Sequence, residues 1–95
     1  MDDKFWKRAD AYIHVANEQS DHAKLGEVNA SFTYACARFN AFVITSEAPN
    51  AQELRNAKEK ALEVFTAEFR KMLDDNLEDH IAHYEQYFAR KNSKG

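Results

Sequence analysis

The sequence predicts an all-α chain of three helical segments, the third long, and three observations carry that expectation. Two glycines and one proline in 95 residues leave long stretches without a helix breaker. Alanine and straight-chain residues such as Glu and Lys, which lose little side-chain entropy in a helix, are plentiful in those stretches. Apolar residues recur at three- and four-residue spacing, with no strand-like alternation and no internal repeat. At this length one helical domain is expected over 1–95. A chain so short buries a small share of its surface, so association is a common way to enlarge the core.

The first segment is expected over about 3–20. Asp2 and Asp3 can accept from the free N–H groups of a first turn and complement its dipole. Phe5, Trp6, Ala9, Ile13, Ala16 and Ser20 share one face. Leu25-Gly26 then interrupts the chain, with Gly26 suited to a positive φ in the turn.

The second segment is expected over about 27–47. Val28, Phe32, Ala35, Phe39, Phe42 and Val43 make a broad apolar face, while Ala30, Tyr34, Ala37, Ala41 and Ile44 keep the opposite side poor in charge. A helix apolar nearly all round should be covered on both sides, which marks this one as central.

Pro49 ends that helix, and Asn50 with Glu53 follows the logic of a capping box for the third, expected over about 50–91. Such a helix would run roughly 60 Å, twice the roughly 30 Å of either earlier segment. Leu54, Ala61, Leu62, Phe65, Phe69, Met72 and Leu73 keep one stripe. Beyond Asp74, Asp75 and Asn76 the stripe passes to Leu77, Ile81, Tyr84 and Phe88, which lie roughly 100° or more from Phe65. The partner surface changes there, whether or not the helix breaks near Asp74–Asn76. The excess length must bend back or meet a second molecule. A two-fold homodimer is the simplest expectation. Residues 92–95 read as a loose, disordered tail.

Composition removes several function classes. The net charge is −3 with both signs interspersed, and the one basic stretch is the terminal "ARKNSKG". No phosphate-neutralising patch is visible, so nucleic-acid binding is not expected. The single cysteine, Cys36, excludes an intrachain disulfide and a thiol-rich metal site, and it reads as a small buried residue. "MDDKFWKRAD" lacks the apolar core of a secretory signal, and "AFVI" is too short to span a bilayer. A soluble cytoplasmic protein without membrane contact is expected.

Two groups of side chains resemble ligand sets. In "HVANEQSDH", His14, Glu18 and His22 stand at i, i+4 and i+8. Measured from Ile13 at the centre of the buried face, they lie roughly 100°, 140° and 180° round, so the stripe turns toward solvent. In "EDHIAHYEQY", His80 and His83 stand at i and i+3, with Asp79 four residues before His83. The Glu-x-x-His pairs of di-iron bundles are absent, since Leu77 stands three residues before His80. The His-Glu-x-x-His zinc signature is absent as well. A wet helix face for the first set and a helix-interface edge for the second are the favoured readings, with metal binding by either set the alternative. No nucleophile elbow, phosphate loop or dinucleotide fingerprint occurs, so no catalytic residue and no cofactor are assigned.

Three polar residues near the packing faces are candidates for a structural or interface role. Asn17 lies roughly 40° from Ile13, Arg38 flanks Phe39 and Phe42, and Asn40, like Asn29, interrupts apolar turns. A buried amide or guanidinium needs a partner, and once paired it fixes the register of helices or subunits.

"FWKRADAYIHVANEQ" and "VNASFTYACARFNAF" together resemble a small proteobacterial family known as domain of unknown function 3144. The positions that carry the resemblance are Ala16, Asn17, Glu18, Gln19, Ala37, Arg38, Phe39, Asn40 and Phe42. It covers the first half of the chain; the long third segment matches in being helical and charged. The resemblance implies a cytoplasmic bacterial protein and brings no activity to any residue. The expected function is a non-enzymatic helical interaction or structural module forming a homo-oligomer, with an unidentified protein partner also open. The alternative is a metal- or small-ligand-binding protein.

Overall fold

The computed structural model describes residues 1–94, with side chains through residue 89. Four helices and no strand occur among the described residues, in two compact units, Met1–Ala48 and Pro49–Gly95.

The first unit is a helical hairpin. In α1 (Asp3–Gln19) the Asp2 carboxylate accepts from the Phe5 N–H at 2.9 Å, satisfying a first-turn donor. Phe5, Ala9, Ala16, Asn17 and Ser20 are half-buried, whereas Trp6 and Ile13 are exposed. The covered face is therefore centred on Ala9 and Ala16, roughly 40° from Ile13. The helix ends at Gln19, and the Ser20 hydroxyl folds back onto the Ala16 carbonyl at 2.9 Å.

A turn closed by Asp21 N–H on Glu18 O and His22 N–H on Gln19 O leads to α2 (Leu25–Ser46). This helix starts two residues earlier than the sequence suggests, and Gly26 lies in its first turn without a positive φ. The local cause is Glu27, whose carboxylate accepts from the Lys24 N–H at 3.0 Å. A lysine side chain has no acceptor, so only this half of a capping box can form.

Val28, at 8% exposure, is the one buried residue among those described. Within its own unit α2 is covered on one face, and Tyr34, Phe39 and Phe42 are exposed. One neighbouring helix covers one face, and the hairpin supplies only α1.

The second unit holds α3 (Ala51–Ala82) and α4 (Tyr84–Lys94). The Asn50 side chain accepts from the Glu53 N–H at 2.9 Å and starts α3. Its 32 residues correspond to about 48 Å. The helix runs unbroken through Asp74–Asn76, and the interruption falls instead at His83, with φ −121° and ψ 32°.

No proline or glycine stands at that break. Asn76 Nδ2 donates to the Met72 carbonyl at 2.7 Å, and the Nδ1 atoms of His80 and His83 meet the carbonyls of Asn76 and Asp79 at 2.8 and 3.1 Å. Side chains that bond back to the preceding turn compete with the backbone ladder and bend helices. Of the expected loose tail at 92–95, the backbone is helical to Lys94 and residue 95 lies outside the described residues.

Candidate functional site

The His14–Glu18–His22 stripe does not assemble. His14 Nε2 and Glu18 Oε1 are 3.4 Å apart on the outer face of α1, with both side chains well exposed. His22 lies in the turn beyond Gln19, so the third position is no longer on the helix. Among the described residues, no group of three or more His, Cys, Asp or Glu side chains is placed to hold a metal ion.

His80 and His83 do take part in one constellation, at the break between α3 and α4. The Tyr87 hydroxyl donates to Asp79 Oδ2 at 2.6 Å, and His83 Nδ1 is 3.2 Å from Asp79 Oδ1. The His80 ring stacks on Tyr87 with centroids 3.6 Å apart and planes 16° apart. The Tyr87 hydrogen bond holds the Asp79 carboxyl below the usual aspartate range; desolvation opposes it, and the His83 charge and hydrogen bond and then the His80 charge add to the lowering. A carbonyl only accepts, so the Nδ1 atoms of His80 and His83 carry the proton in these bonds. The His83 carbonyl accepts from Gln86 and Tyr87 at 3.1 and 3.3 Å and opens α4. These groups secure a change of helix direction.

Tyr87 had no signal in the sequence, because eight residues never meet on an uninterrupted helix. Of the polar interface candidates, Asn17 is half-buried and its amide makes no side-chain hydrogen bond among the described residues. Asn40 is half-buried and accepts a long contact of 3.8 Å from Cys36 Sγ, while Arg38 is exposed. Cys36 is itself exposed, contrary to the buried position expected of it.

The hairpin also carries an open apolar groove of about 470 Å³. Tyr12, Val15 and Ala16 of α1 line it, facing Val28, Phe32 and Ala35 of α2. Its small floor residues would let a further helix approach closely. In the second unit, Leu62, Phe69, Met72 and Leu73 are each about half exposed along α3. No described helix is long and apolar enough to cross a membrane.

No curated protein matches the chain. An NMR structure of a Shewanella protein is similar to it, with 30% identity and a TM-score of 0.76 over 95% of this chain and 96% of the other. A family model described as "Protein of unknown function (DUF3144)" matches residues 5–81, and so covers every position on which the sequence resemblance rested. The chain belongs to the DUF3144 family.

Proposed function

We propose that this chain is a non-enzymatic helical interaction module that works as a homo-oligomer, most simply a two-fold dimer. The carrying observation is the mismatch between α3 and everything available to cover it. Its apolar side chains stay exposed from Leu62 to Ile81, along a helix of about 48 Å. The longest helix of residues 1–48 is α2, with 22 residues and about 33 Å. Burying a leucine or phenylalanine is worth about 1.5–3 kcal/mol, so an uncovered stripe of this length favours association. A bacterial, cytoplasmic setting goes with this reading, given the Shewanella relative and a lone exposed thiol suited to a reducing compartment.

Sedimentation equilibrium tests the proposal. A mass near twice 11.0 kDa that falls on dilution is expected. A mass of 11.0 kDa at every concentration up to the millimolar range would remove it.

A further inference from the structure

We infer that the joint between α3 and α4 is a two-state latch: the Tyr87–Asp79 hydrogen bond holds the chain bent, and its release lets the two helices join as one. The latch is independent of whether the chain associates. A single residue, His83, separates the helices, and residues 50–94 contain no proline or glycine. Nothing in the covalent chain therefore opposes a continuous helix. No residue of α3 or α4 is buried among those described, so no core decides between bent and straight.

The backbone favours the straight form. At the break His83 N–H donates to the Asp79 carbonyl, while Gln86 and Tyr87 donate to the His83 carbonyl. A continuous helix keeps the His83 and Tyr87 bonds and moves Gln86 to the Ala82 carbonyl. It also lets Tyr84 donate to His80 and Glu85 to Ile81, a gain of two backbone bonds. Two contacts of Tyr87 oppose that gain: its hydroxyl on Asp79 Oδ2 at 2.6 Å and its ring on His80 at 3.6 Å. Both are lost on a straight helix, where Asp79 and Tyr87 lie about 12 Å apart along the axis. A hydrogen bond to an ionised acceptor outweighs one between neutral groups, so the two sides are closely matched.

The latch needs Asp79 ionised. Among the described residues, the titratable groups that act on it are Tyr87, His83, whose Nδ1 is 3.2 Å from Oδ1, and His80. Its carboxyl lies below the usual aspartate range, so the latch is closed at neutral pH and opens as pH falls through that lowered value. Straightening puts Leu77, Ile81, Tyr84 and Phe88 at i, i+4, i+7 and i+11 of one helix. The latch thus decides whether these exposed side chains share a face.

Pulsed electron spin resonance on the full chain tests the latch. Nitroxide labels are placed by Lys71→Cys and Ala89→Cys in a Cys36→Ser background, and labelled chains are diluted with unlabelled protein. Both positions are exposed and lie outside the latch. On one straight helix they share a face and stand about 27 Å apart. With the latch intact at pH 7 the main distance should be shorter. Tyr87→Phe, and separately Asp79→Asn, should raise the population near that straight-helix distance at least about threefold at pH 7, the scale of one exposed hydrogen bond. Lowering the pH of the latch-intact chain should do the same, with helix content by circular dichroism retained, and Tyr87→Phe should remove that pH dependence. A latch-intact chain already at the straight-helix distance at pH 7 would overturn the bend. An unchanged short distance in both variants would overturn the latch, and a broad spread without the straight-helix maximum would overturn the second state.

Discussion

Tyr87 and Asp79 stand eight residues apart and share a 2.6 Å hydrogen bond, because the chain turns at His83 between them. On an uninterrupted helix those positions would be about 12 Å apart along the axis. The bond therefore reports on the break itself. Asp79 accepts from Tyr87 through one carboxylate oxygen and faces the His83 ring through the other, and the His80 ring lies against the Tyr87 ring.

Replacing Tyr87 with phenylalanine keeps the ring and removes the donor. The leading cause of the low Asp79 pKa disappears, so its titration midpoint should move up toward the ordinary aspartate value. The sign for stability follows. A carboxyl depressed in the folded chain stabilises the joint above the ordinary aspartate range, and that contribution is lost as pH falls through the lower folded value. Carboxyl carbon NMR of Asp79 in the two proteins checks this, and coincident midpoints would exclude the Tyr87 bond in solution.

Gly26 offers a test of how α2 begins. It occupies the first turn without a positive φ, and a β-carbon added there meets nothing within 4 Å. Gly26→Ala should therefore stabilise the chain by about 0.5 kcal/mol, chiefly by narrowing the unfolded ensemble. Urea denaturation measures it. A loss of stability would point to the left-handed turn that the bare sequence suggests at this glycine.

The contrast between Gly26 and Asn50 shows what could be read in the sequence. Asn50 and Glu53 announce the start of α3 because a cap is a contact over three residues, fixed by local backbone alone. Gly26 misleads because the Glu27 carboxylate satisfies the Lys24 N–H and lets the helix begin earlier. The break at His83 was hidden for a related reason. It coincides with Asn76, His80 and His83 bonding back to carbonyls, contacts that depend on side-chain rotamers and leave no proline or glycine as a mark. Once the break is unseen, Tyr87 cannot be joined to Asp79 or His80. The apolar stripes were visible because helical periodicity is geometric; the extent of their exposure depends on the partners they have.

The histidines of the first unit yield a prediction about metal. His14 and Glu18 face each other at 3.4 Å on an exposed helix surface, but His22 has left the helix. A two-ligand exposed site lacks the convergence and second shell that hold zinc tightly. Zinc titrated into tag-free protein by calorimetry should bind with a dissociation constant no tighter than about 10⁻⁵ M, and His22→Ala should leave that value within twofold. Tighter binding, lost in His22→Ala, would restore the three-residue site.

Val28 and Phe39 test where the hairpin keeps its core. Both belong to the apolar face of α2, yet Val28 is 8% exposed and Phe39 is 63% exposed. By size alone Phe39→Ala removes more apolar surface and should be the more damaging change. By burial the order reverses. Val28→Ala should destabilise the chain by about 2 kcal/mol, because it strips a side chain from the place where α1 and α2 meet. At concentrations low enough to dissociate any oligomer, Phe39→Ala should cost under about 0.5 kcal/mol, as an exposed side chain loses little on truncation. Urea denaturation at micromolar protein gives both values. Should Phe39→Ala prove the more damaging there, the phenylalanine face of α2 is covered within a single chain, and the case for a second copy loses part of its support.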